Sequence, residues 1–257
     1  MSETPHASAD LLRATVEIAR SAGDMTLQWF GNADLAVETK DDGSPVTEAD
    51  KAAERYIREQ IERVAPDSSL VGEEEGSSQG PSGLTWYIDP IDGTKGFARG
   101  VPLYATLIAV EDEHGPAIGV IHLPATNETV WAGRGLGCHT PAGPARVSKT
   151  SSLAGSFVTT SSVSRWGSDV YGRVDSAGVD IRGWGDGYGF FMVATGRVDA
   201  MIDLNGGSPW DYAPLPVIIS EAGGRFSCLS GTSSISTPSV IASNGILHDD
   251  LLRAVNG

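Results

Sequence analysis

The stretch Trp86-Tyr87-Ile88-Asp89-Pro90-Ile91-Asp92-Gly93-Thr94 constrains this chain more than any other. Trp86 to Ile88 is a short apolar run that reads as a buried strand. It leads into two carboxylates split by a proline. Pro90 fixes its own φ and biases Asp89 towards an extended conformation, so Asp89 is expected at the strand end and Asp92 on the turn. Gly93-Thr94 reads as the start of a helix. That arrangement aims two oxygen ligands at one point outside a sheet edge, where ligands bind in α/β proteins. Hard oxygen donors beside free helix N–H groups suit a divalent cation and a phosphate together. Asp-Pro followed by Asp-Gly is also ordinary turn chemistry, so the partners these acids find elsewhere decide between the two readings.

The 257 residues, 40% hydrophobic and 20% charged, have a globular composition with room for one or two packed units. A net charge of −15 makes nucleic acid and anionic membranes poor partners. Such acidity keeps a surface soluble, and it also gathers Mg²⁺ around carboxylate sites. Met1 to Asp10 is polar and lacks the layout of a secretory signal, and no apolar run approaches the ~20 residues of a membrane span. Cys138 and Cys228 stand far apart without metal-ligand spacing, which fits a reducing cytoplasm. His6, His114, His122, His139 and His248 do not cluster, which argues against zinc. Ser161-Ser162 lacks the glycines of a nucleophile elbow, and Gly93 to Gly100 matches neither a P-loop nor a dinucleotide fingerprint.

Periodicity predicts a first helix over Ala9 to Phe30, stopped by Gly31-Asn32. A short strand over Leu35 to Thr39 and a polar turn from Lys40 to Pro45 follow. Thr47 and Asp50 have capping-box spacing and open a second helix whose stripe is Ala53, Ile57, Ile61 and Val64. Ser69 to Val71 is short and apolar. Gly72 to Gly76 reads as an acidic loop, and Ser77 to Gly83 as a surface loop. Strands are expected over Leu103 to Val110, Ala117 to Leu123 and Glu128 to Ala132, joined mainly as hairpins. Gly133 to Pro144 reads as a connection, and a boundary at about residue 145 divides an α+β subdomain, 1–145, from an α/β subdomain, 146–257. In the second half, strands are expected at Phe157 to Thr160, Val179 to Arg182, Val198 to Leu204, Arg225 to Leu229 and Val240 to Ser243. Helices are expected at Gly167 to Ala177, Gly189 to Gly196 and His248 to Val255. One long helix is expected from Pro209-Trp210-Asp211 to the Gly223-Gly224 stop.

Five acids fall at element ends: Asp50, Glu73, Asp89, Asp92 and Asp211. A phosphoryl-transfer site holding several Mg²⁺ draws its acids from several element ends in this way. Gly72-Glu73-Glu74, then Asp89-Pro90-Ile91-Asp92-Gly93-Thr94, then Trp210-Asp211 and Glu221-Ala222-Gly223-Gly224 resemble the motifs of the inositol monophosphatase superfamily, in its order and spacing. The resemblance covers essentially the whole chain. It implies a five-layered αβαβα fold of mixed α/β and α+β character, and Mg²⁺-dependent hydrolysis of a small phosphate monoester. It implies two or three ions. Glu73, Asp89 and the backbone carbonyl of Ile91 would hold the first, and Asp89, Asp92 and Asp211 the second. The N–H groups of Gly93 and Thr94 would hold phosphate, and Thr94 and Asp50, helped by Glu73, would orient or deprotonate the attacking water. Glu74 is expected to support Glu73. A homodimer and inhibition by Li⁺ are also implied.

Arg182-Gly183-Trp184-Gly185-Asp186, Phe97 to Pro102 and Asn244 to Asp249 look most similar to the histidinol-phosphatase branch of that family. That branch usually places Glu before the Trp-Asp motif. This chain offers Asp203, one residue further from Asp211. Gly185, Asp186 and Asp203 are the expected substrate-binding residues, and both acids suit the ammonium and imidazole of L-histidinol phosphate. An inositol-1-phosphate or sugar-phosphate phosphatase, and a metal- and phosphate-binding regulator without turnover, are the alternatives.

Overall fold

The computed structural model describes residues 4–32, 35–40 and 43–257. Helix α1 (Ala9–Thr26) is capped by Ser8, whose side chain accepts from the Leu11 N–H. It stops short of the expected Phe30. The buried Thr26 hydroxyl turns back onto the Gly23 carbonyl (2.6 Å) and meets the Tyr104 hydroxyl (2.8 Å). Turns follow, and Phe30 packs against Phe97 and Tyr104. Strands β1 (Val37–Thr39) and β2 (Pro45–Thr47) pair antiparallel. Part of the polar turn expected between them, residues 41–42, lies outside the described residues. Helix α2 (Glu48–Val64) begins with the expected capping box.

The large sheet is built from β3 (Ser69–Gly72), β4 (Gly76–Ser78), β5 (Thr85–Asp92), β6 (Ala105–Asp112), β7 (Gly115–Leu123), β8 (Glu128–Gly133), β9 (Gly137–Thr140) and β10 (Gly143–Pro144), with the one-turn helix α3 (Thr94–Phe97) after β5. Its order is β10-β9-β8-β7-β6-β5-β3-β4, and β3 and β5 form its one parallel pair. Two expected connections are strands instead. Gly76–Ser78 pairs back onto β3, and the segment read as a connection after Gly133 folds as the hairpin β9-β10. In both, polar or glycine-rich composition hides a sheet edge, where side chains need not be apolar.

The second half comprises β11 (Phe157–Thr159), α4 (Gly167–Ser176), β12 (Asp180–Arg182), α5 (Asp186–Ala194), β13 (Ala200–Asp203), α6 (Pro209–Tyr212), α7 (Leu215–Glu221), β14 (Arg225–Cys228), β15 (Val240–Ser243) and α8 (His248–Asn256). The small sheet runs β12-β11-β13-β15-β14, parallel through β12-β11-β13 and antiparallel beyond. The long helix expected from Pro209 is two helices. Pro214 and Pro216 have no N–H with which to continue the hydrogen-bond ladder, so it breaks at Ala213-Pro214. Helix α5 starts at Asp186, three residues earlier than its apolar run suggests.

The layers follow from which apolar faces meet. Helices α1 and α2 bury Leu12, Ile18, Ile57 and Ile61 against Trp86, Ile88, Ile108 and Val120 on one face of the large sheet. Helices α5, α6 and α7 lie between the sheets, where Phe190, Val193, Leu215 and Ile218 pack with Leu107, Ile121 and Met201. Helices α4 and α8 cover the far face of the small sheet through Val174, Leu251 and Val255. The result is the five-layered αβαβα sandwich, mixed sheets alternating with helices. Among the described residues no helix is long and apolar enough to cross a membrane.

His248 ties α8 to the small sheet. It is fully buried, with Nε2 2.8 Å from Ser227 Oγ and Nδ1 2.9 Å from Ser243 Oγ. Burial, with Arg225 nearby, pushes its pKa from 6.5 down to about 4. The unfolded chain therefore binds a proton that the folded state refuses between those values. This contribution to stability is complete above pH 6.5 and declines as the pH falls towards 4. His248→Gln is expected to cost about 1–2 kcal/mol at neutral pH and to flatten the stability loss across that window. Urea unfolding at a series of pH values checks this, and parallel curves for the two proteins would contradict it.

Candidate active site

Strand β5 does not end at Asp89 as expected; it continues through Asp92, with an irregularity between them. Asp89 stands opposite Leu107 and Asp92 opposite Ala105, so three steps on β5 match two on β6. Residues three apart on a regular strand face opposite sides. The extra residue returns Asp92 to the side of Asp89. Pro90 has no N–H to donate here, and its carbonyl accepts from Thr106 Oγ1 (2.9 Å). The Ile91 N–H donates to Asp89 Oδ1 (3.1 Å), and the Ile91 carbonyl accepts from Thr94 Oγ1 (3.0 Å).

Asp211 joins these two acids from α6, where Ser208 forms a capping box with it. One carboxylate oxygen from each of Asp89, Asp92 and Asp211 lies within 4.8 Å of the others. Burial first, and then the neighbouring negative charges, raise the pKa of all three, Asp211 to about 7. Three hard oxygen donors held together against their own repulsion fit a divalent cation such as Mg²⁺.

Glu73 lies in the β3-β4 turn and borders a cavity that Asp92 and Asp211 also border, and its charge is felt at Asp89, Asp92 and Asp211. The turn is braced by Glu54 of α2, which is fully buried and accepts from the Glu74 N–H (2.7 Å), the Glu75 N–H (3.1 Å) and Arg58 (2.7 Å). A Cβ on Gly72 would stand 2.0 Å from Glu54 Oε1, so only glycine fits there. Lys40 reaches across to Glu73 (2.8 Å) and Glu74 (2.7 Å). Burial works against its charge, but the two carboxylates outweigh it and raise its pKa. Burial also lifts Glu74 to about 7, although Lys40 opposes the shift.

Asp50 is a helix cap that also meets Thr94. Its Oδ2 accepts from the Thr47 N–H (2.8 Å) and its Oδ1 from Thr94 Oγ1 (3.3 Å), and burial raises its pKa. Gly93 has φ of +89°, a left-handed value that swings the chain into α3, and an added Cβ would stand 3.2 Å from Asp186 Oδ2.

Asp186 begins α5 at φ +54°, unusual for a residue with a side chain. Its N–H donates to Ser161 Oγ (3.0 Å). Gly185 lies against Ser161, whose Cα a Cβ would meet at 2.1 Å. The Gly187 N–H donates to Asp92 Oδ2, which couples the α5 start to the carboxylate cluster. Asp203, at the end of β13, accepts from the Tyr212 hydroxyl (2.8 Å) through Oδ2, while its buried Oδ1 has no partner. A cavity of about 160 Å³ is bordered by Glu73, Asp92, Thr94, Asp186, Asp203 and Asp211.

The profile of the inositol monophosphatase family matches residues 8–257. The chain belongs to that family. It is 37% identical to a Mycobacterium tuberculosis histidinol-phosphatase over 97% of this chain and 99% of the relative. It is 40% identical to a Streptomyces coelicolor histidinol-phosphatase over 96% and 97%. A Thermotoga maritima IMPase of known structure superposes with a TM-score of 0.85 at 31% identity, covering 96% of this chain and 97% of that one. The chain is thus a metal-dependent phosphoric monoester hydrolase acting on a small phosphorylated molecule, in agreement with the fold and the acid cluster.

Several residues of the site were not foreseen. Lys40 stood in a stretch read only as a polar turn, and Glu54 is a charge on a helix whose visible signal is its apolar stripe. Ser161, Arg165, Lys95 and Tyr212 border the cavity without any motif of their own. The Gly206-Gly207 pair gave the one available signal, since adjacent glycines mark close approach. Added Cβ atoms there would stand 1.8 Å from Arg165 and 2.0 Å from Tyr212.

Asp92→Asn retains an acceptor for the Gly187 N–H and removes one of three buried like charges. In metal-free buffer it is expected to raise the melting temperature by on the order of 2–4 °C. The further rise that Mg²⁺ gives the wild-type protein should largely disappear. Differential scanning calorimetry with EDTA and with Mg²⁺ measures both. A variant stabilised by Mg²⁺ as strongly as wild type would remove Asp92 from the ligand set.

Proposed function

We propose that this chain hydrolyses L-histidinol phosphate to L-histidinol and phosphate, a step of histidine biosynthesis. The observation that carries the reading is the pair of acids Asp186 and Asp203, which border one cavity opposite the phosphate-binding start of α3. The positive charge of a substrate ammonium suits two neighbouring acids. The relatives named as histidinol-phosphatases support the same choice. Ring hydroxyls also donate to such acids, and for that reason inositol 1-phosphate or a related sugar phosphate is the second reading.

In this reading Glu73, Asp89 and the Ile91 carbonyl hold one Mg²⁺, and Asp89, Asp92 and Asp211 a second, with a third within reach of Glu73. Bound there, the ions supply Lewis acidity to the phosphate and the attacking water. The Gly93 and Thr94 N–H groups orient the phosphate at the start of α3. Thr94 Oγ1, held between Asp50 Oδ1 and the Ile91 carbonyl, positions the water and passes its proton towards Asp50. Asp186 and Asp203 hold the amino-alcohol leaving group. The two subdomains, 1–145 and 146–257, meet at this site, a division supported by the separate sheets on either side of it. A cytoplasmic homodimer inhibited by Li⁺ completes the proposal.

Phosphate release with Mg²⁺ tests it on L-histidinol phosphate, inositol 1-phosphate and an aryl phosphate. The first is expected to have the highest kcat/KM, and Asp92→Asn to abolish turnover. Strong turnover of inositol 1-phosphate without that of histidinol phosphate would select the second reading. No release from any monoester would leave a binding protein without turnover. Asp186→Ala is expected to raise KM for histidinol phosphate about tenfold and for the aryl phosphate by less than about twofold. Equal effects on both would reduce Asp186 to a structural role.

A further inference from the structure

The geometry points to the buried Glu54–Arg58 pair of α2 as positioning residues for Glu73. The pair fixes the direction of the Glu73 carboxylate, and with it the affinity for the ion that Glu73 holds, while touching neither ion nor substrate. This rests on reading Glu73 as a metal ligand. What it adds is a pair of residues outside the cavity on which that ligand depends.

Asp50, Glu54 and Arg58 are spaced four apart, so they stack along one face of α2. The capping box at Thr47 fixes where the helix begins. The register that brings Asp50 to Thr94 brings Glu54, one helical turn later, to the β3-β4 turn. Glu54 is fully buried, and a buried carboxylate is costly unless its oxygens are matched. Here both are matched. Oε2 accepts from the Glu74 N–H (2.7 Å), and Oε1 accepts from the Glu75 N–H (3.1 Å), from Arg58 Nε (2.9 Å) and from Arg58 Nη2 (2.7 Å). Arg58 Nη2 also donates to the Gly76 carbonyl (2.5 Å). At the other end of the turn, a Cβ on Gly72 would stand 2.0 Å from Glu54 Oε1 and 2.6 Å from Arg58 Nη2. The turn from Gly72 to Gly76 is therefore wrapped round an ion pair that belongs to the helix.

Glu73 is the residue of that turn held from the opposite side. Its N–H donates to the Ile88 carbonyl of β5 (3.2 Å), one residue before Asp89. With β5 on one flank and Glu54 on the other, its backbone is fixed and its side chain borders the cavity. Among the described residues neither Glu54 nor Arg58 borders that cavity. The contacts from Glu54 to the turn go to backbone N–H groups, so they set the path of the chain and not the choice of side chain. They need an acceptor at both carboxylate oxygens. Glutamine keeps one acceptor and turns an NH₂ group towards donors at the other position, and aspartate is one methylene too short. A ligand carboxylate on a loosened turn must lose its freedom when the ion binds, which weakens binding; on a held turn that freedom is already gone.

Mg²⁺ alone is the probe, titrated into the metal-free protein by isothermal calorimetry without substrate. Glu54→Gln is expected to weaken Mg²⁺ binding about tenfold. In phosphate release from an aryl phosphate, the Mg²⁺ concentration giving half the maximal rate should rise by the same factor. At saturating Mg²⁺, kcat should stay within about threefold of wild type and KM within about twofold. Arg58→Lys keeps a charge beside Glu54 and gives up the planar fork, so it should show the same pattern at about threefold, and it carries the test if Glu54→Gln does not fold. Glu75→Ala, which removes an exposed side chain 3.7 Å from Arg58 Nε, should leave the titration unchanged. A melting temperature lowered by Glu54→Gln or Arg58→Lys with an unaltered Mg²⁺ titration is the outcome of a purely structural role, and it overturns the inference. A double variant decides whether the effect passes through Glu73. In the Glu73→Gln background, Glu54→Gln should weaken the remaining Mg²⁺ binding by less than about twofold. The full loss in that background would place the action of Glu54 elsewhere and also overturn the inference. Glu73→Gln that binds Mg²⁺ as tightly as wild type would remove Glu73 from the ligand set. A weakened Glu73→Gln beside an unaffected Glu54→Gln would defeat only the positioning role.

Discussion

One extra residue in β5 makes the rest of the site possible. Without it, Asp89 and Asp92 would face opposite sides of the large sheet, one towards α2 and one towards α5. With it, both carboxylates face the same side. The irregularity is held by bonds that a regular strand would not need, from Thr106 to the Pro90 carbonyl and from Thr94 to that of Ile91. Proline is suited to this place because a residue there must give up its ladder hydrogen bond in any case. The backbone is thus shaped before any ligand arrives, and the second half of the chain need supply only Asp211 and the start of α5.

Bringing these acids together costs stability. Burial disfavours each charge, and every neighbour adds to the cost, so the pKa values of the cluster rise together. The protein limits the penalty at the edges. Lys40 lies between Glu73 and Glu74, Glu54 is occupied by Arg58 and two N–H groups, and the Gly187 N–H donates to Asp92. In the centre no side chain among the described residues pairs a positive charge with the three acids. A divalent cation relieves the repulsion there, and its binding free energy counts towards the stability of the fold.

Much of this was legible in the chain. The apolar run before Asp89, the capping box at Thr47 and the acids at element ends are local signals, and local signals survive folding. The sheet edges at Gly76–Ser78 and Gly137–Pro144 were not legible, because pairing at an edge is decided by the neighbouring strand and not by the strand's own composition. The length of β5 was misjudged for a related reason: Asp-Pro-Ile-Asp reads as a turn until a partner strand absorbs it. Long-range partners such as Lys40 with Glu73, or Arg165 over Gly206, carry no spacing that a linear reading can use. Their meaning depends on elements far apart in the chain.

The two ends of the cavity are built differently, and this bears on how one family serves several substrates. The clustered acids Asp89, Asp92 and Asp211 sit on a central strand and at a capped helix start, where a displacement would disturb the core. Asp186 is the first residue of α5 and Arg165 the last of a single 3-10 turn (Val163–Arg165), held by a few contacts to Ser161, Ser162 and Asn205. A substitution there alters charge and shape at that end of the cavity while β5 and its acids stay in place. Asp203 is intermediate: its backbone is fixed opposite Val240 in the small sheet, but one carboxylate oxygen remains uncommitted. Chemistry is therefore set by the part of the fold least free to change, and selectivity by the charged groups at the other end of the cavity.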